Sequence, residues 1–200
     1  MTPETNDATG GQLLTGLARS SIAAQLRFAN QGPEDQGLAQ QEPEDAWLMQ
    51  PGACFVTLHK HGNLRGCIGS LVAHRPLGED VAANARAAAF HDPRFPPLAQ
   101  DELADIDIEV SVLSSPEPIY PSDETELEGM LRPGVDGVIL EYGPHRSTFL
   151  PQVWEQLPDP AQFLAHLKQK GGLPADFWHP DMRISRYTVT AYAEQTGHRT

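Results

Sequence analysis

Cys67 stands in the run Leu64-Arg65-Gly66-Cys67-Ile68-Gly69, with Arg65 just before it and Arg94 further along the chain. The thiolate is the reactive form of cysteine, and a nearby guanidinium lowers the thiol pKa. These residue types therefore allow a nucleophile or a redox thiol at Cys67. Gly66 and Gly69 leave the backbone bare on either side, which lets a ligand approach it or marks a bulge. The same residues also read as a buried structural thiol on a strand between two packing glycines, and the sequence leaves both readings open.

Asp92 and Arg94 flank Pro93, and Pro96-Pro97 stiffen the chain behind them. A rigid loop offering one carboxylate and one guanidinium suits recognition of a polar small molecule or a carboxylate-bearing partner. It suits equally well an internal ion pair that fastens the loop to a sheet. Glu109 shares the polar side of an alternating run with Asp107 and Ser111. If that side lines a groove, Glu109 is a candidate general base. If it faces water, Glu109 is an ordinary surface carboxylate.

Other chemistry is less well supported. Cys54, His59, His61 and Cys67 lie close together, but no CxxC or HxxxH spacing supports a metal site. A one-residue slip between their strands would put the two cysteines on opposite faces. No metal and no cofactor is therefore expected. P-loop, GxGxxG and nucleophile-elbow patterns are missing from the sequence, so a serine-type hydrolase is not indicated. Gly66-Cys67-Ile68-Gly69 matches the GxxG loop that KH domains close on RNA. That loop joins two helices, whereas this run is strand-like, and the formal net charge of -13 opposes non-specific nucleic-acid binding.

The elements that must position these residues follow from periodicity. Leu14, Leu17, Ile22, Leu26 and Ala29 recur at helical spacing, which predicts a helix over Leu13 to Ala29. The acidic stretch with Glu34, Asp35, Glu42, Glu44 and Asp45 reads as a solvated loop. Ala53 to Leu58 and Leu64 to Leu71 predict a β-hairpin turning at His61-Gly62-Asn63. Pro76 to Phe90 predicts an alanine-rich helix with Glu79 and Asp80 in its first turn. The proline-rich run from His91 to Pro97 ends it. Ile106, Ile108, Val110 and Val112 alternate with polar residues and predict a strand, which Ser115-Pro116-Glu117-Pro118 closes. A short helix is expected over Asp123 to Leu131. A strand pair is expected around Gly143-Pro144. Asp159-Pro160-Ala161-Gln162 starts a helix that ends at Gly171-Gly172. One last strand is expected from Ile184 to Tyr192. This mixed order predicts an α+β fold with a mainly antiparallel sheet and flanking helices.

A hydrophobic content of 40% is enough to bury a core without staples, and two cysteines in 200 residues exclude a disulfide framework. Residues 1–10 read as disordered, 11–195 as one domain and 196–200 as a tail. No signal-peptide pattern and no ~20-residue apolar run is found, so a cytoplasmic setting is expected.

Several blocks in one order resemble the AMMECR domain family, specifically the bacterial and archaeal AmmeMemoRadiSam system protein A branch. They are Pro51 to Leu58, Leu64 to Gly69, Asn84 to Phe90 running into Asp92-Pro93-Arg94-Phe95-Pro96-Pro97-Leu98, and Ile108 to Leu113. Arg132-Pro133-Gly134 with Asp136-Gly137 and Thr148 to Trp154 complete the set. His59 stands where the family often has lysine, and Lys170-Gly171-Gly172-Leu173 departs from it at the first glycine. The resemblance implies a larger and a smaller lobe with the central motif near a groove between them. It also implies association with a Memo-type protein and a radical SAM protein, and it implies no particular reaction. The expectation is a ligand- or partner-binding accessory component using Arg65, Gly66, Gly69, Asp92 and Arg94. The alternatives are an enzyme working through Cys67, with Glu109 as base, and an RNA-binding protein.

Overall fold

The structure, a computed structural model, describes residues 8–30 and 46–194. The acidic stretch read as a solvated loop lies outside them. The chain divides into two compact units, Met1–Leu113 with Thr190–Thr200, and Ser114–Val189.

In the first unit, α1 spans Ala8–Asn30. It starts ahead of the expected Leu13 and inside the stretch read as unstructured. Leu14, Ala18, Ile22 and Leu26 form its buried stripe, spaced so that each lies one turn above the last. β1 (Pro51–Lys60) and β2 (Asn63–Gly69) form the expected hairpin. His61 and Gly62 both have positive φ, 51° and 77°, the type I′ turn whose twist suits a two-residue hairpin. A two-residue strand β3 (Arg75–Pro76) pairs with the start of β1 and leads into α2 (Leu77–Phe90). A short 3-10 helix, Gln100–Ala104, precedes β4 (Ile106–Leu113).

The sheet runs β2-β1-β4 and then a last strand at Val189–Ala193, with the hairpin and β4 antiparallel. Its Cys54, Val56, Leu58, Ile106, Ile108 and Val110 side chains join the buried stripes of α1 and α2 in one core. The opposite face carries Phe55, Thr57, His59, Asp107 and Glu109, all half-buried.

The second unit has its own sheet. Strand β5 (Glu117–Ile119) forms where Ser115-Pro116-Glu117-Pro118 was expected only to end β4. Pro118 is tolerated because β5 lies at the sheet edge. α3 (Glu124–Met130) is capped by Asp123, which accepts from the Glu126 amide. β6 (Gly137–Tyr142) and β7 (His145–Phe149) form the expected pair. A 3-10 helix, Pro151–Glu155, leads to α4 (Pro160–Lys170), where Asp159 caps the Gln162 amide as its sequence pattern predicts. The expected single last strand is in fact two. β8 (Arg183–Tyr187) closes the second sheet in the order β5-β8-β6-β7, and β9 (Val189–Ala193) completes the first. Apolar residues recur on both sides of Thr188, Ile184 and Tyr187 before it and Val189, Ala191 and Tyr192 after it, so periodicity alone does not show the break there. The core of this unit centres on Trp154 stacked on Phe163 at 3.8 Å, with Leu140, Leu164, Leu167 and Ile184. Among the described residues no helix is long and apolar enough to cross a membrane.

Candidate functional site

The hairpin register decides what Cys67 faces. Lys60 pairs with Asn63 and His59 with Leu64, but Leu58 pairs with Gly66. Arg65 is therefore an extra residue, a β-bulge, and everything beyond it on β2 shifts by one place. Cys67 ends up opposite Thr57, whose hydroxyl donates to its sulfur at 3.4 Å. Thr57 in turn pairs with Glu109 on β4. One row across β2, β1 and β4 thus reads Cys67, Thr57, Glu109, on the face away from the helices. Ser111, two residues along, donates to the Glu109 carboxylate at 3.3 Å. The thiol is half-buried, neither sealed in the core nor fully open. Glu109 stands two strand spacings from Cys67, roughly 10 Å, beyond the reach of direct proton exchange.

Cys54 belongs to the other face. It is fully buried, its thiol lies 3.4 Å from the Asp80 carboxylate, and burial pushes its pKa up. Asp80, also fully buried, accepts as well from the Cys54 amide, Ser70, Arg75 and Asn84. Asp80 therefore does more than favour a helix dipole: it ties α2 to β1 and to the loop after β2. The bulge register explains why the two cysteines do not meet. Among the described residues no group of three His, Cys, Asp or Glu side chains is placed to hold a metal.

Asp92 and Arg94 act on the Cys67 backbone. Asp92 Oδ2 accepts from the Cys67 amide at 2.9 Å, and Arg94 Nη2 donates to the Cys67 carbonyl at 3.1 Å. The two are paired with each other, Arg94 Nη2 to Asp92 Oδ2 at 2.7 Å and Nε to Oδ1 at 2.9 Å. Together they supply the donor and acceptor that a neighbouring strand would offer at the outer edge of β2. The internal-ion-pair reading of this loop is the one the geometry shows. The Asp92 side chain is 1% exposed, and the Arg94 guanidinium holds its carboxyl well below the usual carboxylate range. The Arg94 side chain is 53% exposed, and its charged form is stabilised first by Asp92 and to a smaller extent by the Cys67 sulfur.

Arg65 does not join that group. Its bulge position re-aims the side chain onto Glu102, which it grips at 3.1 and 2.9 Å. This contact lowers the Glu102 pKa to about 2. The glycines pack. A Cβ at Gly66 would meet the Ala88 carbonyl of α2 at 2.2 Å, and one at Gly69 would enter the Phe55 ring at 2.3 Å. The GxxG match therefore lies inside β2, not in a loop between helices.

Sequence reasoning missed Thr57, Glu102, Asp80 and Asn84. Thr57 was within reach, because it sits in the strand facing Cys67, but only a bulge at Arg65 gives the pairing. Glu102 reaches Arg65 from a separate 3-10 helix, and nothing in the local pattern of either segment marks the pair.

Fold and site together define an α+β protein of two sheets, the first of which presents a thiol, a hydroxyl and a carboxylate in one row across β2, β1 and β4. The AMMECR1 family pattern matches residues 15–192, and the chain belongs to that family. It is 40% identical over 186 residues to a protein of Methanothermobacter thermautotrophicus, covering 92% of this chain and 94% of that one. It is 45% identical over 191 residues to a Saccharolobus islandicus protein, covering 92% and 81%. The crystal structure of an uncharacterised protein from Pyrococcus horikoshii superposes with a TM-score of 0.71 at 33% identity, covering 92% of this chain and 91% of that one.

Proposed function

We propose that this chain is a binding component that acts with a Memo-type protein and a radical SAM protein, and that its contact surface is the sheet face around Leu64–Gly69. One observation carries this reading. Three adjacent strands fix Cys67, Thr57 and Glu109 in one half-buried row, while Asp92 and Arg94 hold the edge of β2 and Arg65 turns away to Glu102. A rigid polar row whose carboxylate stands two strands away from its thiol suits recognition better than turnover. The partners rest on the resemblance of the quoted blocks to the AmmeMemoRadiSam branch.

The test is capture of the two partners from purified components. Glu109→Gln and Thr57→Ala are suitable variants, because both side chains are half-buried and neither holds the backbone. Each is expected to weaken capture about tenfold, the loss of one charged or well-placed hydrogen bond. Capture at wild-type strength by the double variant would exclude this face. Arg65→Ala and Asp92→Ala are poor probes, since both disturb the hairpin itself.

A second reading, a thiol enzyme, is favoured by the Thr57 hydroxyl 3.4 Å from the Cys67 sulfur and the Arg94 guanidinium on the same residue. A catalytic thiol is expected to be alkylated faster at neutral pH than free cysteine, and Arg94→Gln to slow the reaction. Cys54, fully buried, should stay unlabelled in the folded protein. A Cys67 that reacts no faster than free cysteine removes the enzyme reading.

A further inference from the structure

The Arg65 guanidinium is buried, yet its bonds account for only part of its donors. Nε and Nη2 go to Glu102, while Nη1 is shut off from water with no acceptor among the described residues. Arg186 Nε is in the same condition, but it has the Glu117 carboxylate 3.8 Å away, and a small movement satisfies it. Glu102 has nothing further to offer Arg65. Its Oε1 already takes Lys60 Nζ at 3.0 Å and its Oε2 the Ala99 amide at 3.0 Å. Two cations therefore share one carboxylate, which leaves a net positive charge inside a chain of formal net charge -13. An unpaired charged donor out of water is among the more expensive states in a protein, so the cluster lacks an acceptor.

We infer that Lys60, Arg65 and Glu102 form the binding site for one oxyanion group, a phosphate or a carboxylate, which meets the exposed Lys60 ammonium first and takes Arg65 Nη1 as its second donor once the side chains covering that atom part. Lys60 is the open side: its side chain is 30% exposed, against 10% for Arg65, and Glu102 engages its ammonium once, leaving donors to spare. Glu102 orients both cations and prevents them from repelling each other when the site is empty. The site flanks the Leu64–Gly69 segment through Arg65. It thus rests on the reading of that segment as a binding surface and names the chemistry it takes.

The experiment is thermal unfolding of the full chain at fixed ionic strength, with chloride replaced stepwise by inorganic phosphate or by acetate. A ligand that binds the folded state alone raises the midpoint with its concentration. The wild type is expected to rise in at least one series. Lys60→Gln keeps the buried pair and is expected to need about tenfold more anion for the same rise. Arg65→Lys, which keeps a charge but has no Nη1, is expected to lose it. A rise with phosphate alone assigns a phosphoryl ligand, and a rise with acetate assigns a carboxylate-bearing one. No rise in either series overturns the site. An equal rise in wild type and Lys60→Gln also overturns it, because salt exclusion from the surface acts on both alike. A chain that captures its partners but ignores both anions would refute this site and leave the contact surface standing.

Discussion

Gly66→Ala is expected to destabilise the protein by about 3 kcal/mol, seen as a fall of roughly 10 °C in the unfolding midpoint. A Cβ at Gly66 would stand 2.2 Å from the carbonyl oxygen of Ala88 and 3.1 Å from its carbon. Both atoms are helix backbone, so no side chain can swing aside. Relief requires α2 to move away from β2. That movement pulls at Val81, Ala85 and Ala88 in the core and at the fully buried Asp80, which ties α2 to β1 and Arg75. Gly62→Ala serves as the comparison. A Cβ there meets nothing within 4 Å, so the variant bears only the cost of positive φ at 77°, about 1 kcal/mol. If Gly66→Ala melts with the wild type, the close approach of α2 to β2 is wrong, and the glycine regains its reading as a place for a ligand to approach the backbone.

The fold was largely legible because its elements carry strong local signals. The helix stripe of α1, the alternation in β4 and the Asp159-Pro160 start of α4 each depend on residues near in sequence. The final strand was misjudged because the break at Thr188 follows from which sheet has a vacant neighbour, and that is a matter of tertiary pairing. The site was less legible for a sharper reason. Counting back from the His61-Gly62 turn without a bulge would pair Cys67 with Val56, whose side chain is fully buried in the helix-side core. The extra residue Arg65 moves Cys67 to the polar face opposite Thr57. The choice between a structural thiol and an accessible one therefore turns on a single unpaired residue, which no composition or periodicity in the segment reveals. The sequence brought Asp92 and Arg94 together as a pair, but their target, the backbone of Cys67, becomes visible only once β2 is known to lie at the sheet edge.

Asp92→Ala is expected to lower stability by about 2 kcal/mol at neutral pH, the effect of taking a buried, charged acceptor away from the Cys67 amide and from a half-exposed Arg94. The Asp92 carboxylate accepts from the Cys67 amide, the Arg94 amide, and Arg94 Nε and Nη2. Truncation leaves the edge of β2 open at its centre and releases Arg94 from the Cys67 carbonyl. The pH dependence separates this account from simple loss of packing. The folded-state pKa of Asp92 is depressed, so its contribution is fully present above the unfolded value, about 3.9, and fades as pH falls toward the folded value. Urea unfolding of wild type against Asp92→Asn should therefore show a gap about 1 kcal/mol narrower at pH 3 than at pH 7. Glu102, with a folded pKa of about 2, weakens both proteins alike over the same interval and cancels from the difference. A gap that stays constant from pH 7 to pH 3 would mean that Asp92 is not held as an ion. The clamp would then be too weak to fix the Cys67 backbone, and the fixed row of thiol, hydroxyl and carboxylate would lose its support at the β2 end. A narrowing gap, together with faster amide exchange at Cys67 in Asp92→Asn, identifies the loop as the element that holds the edge strand and its thiol in place.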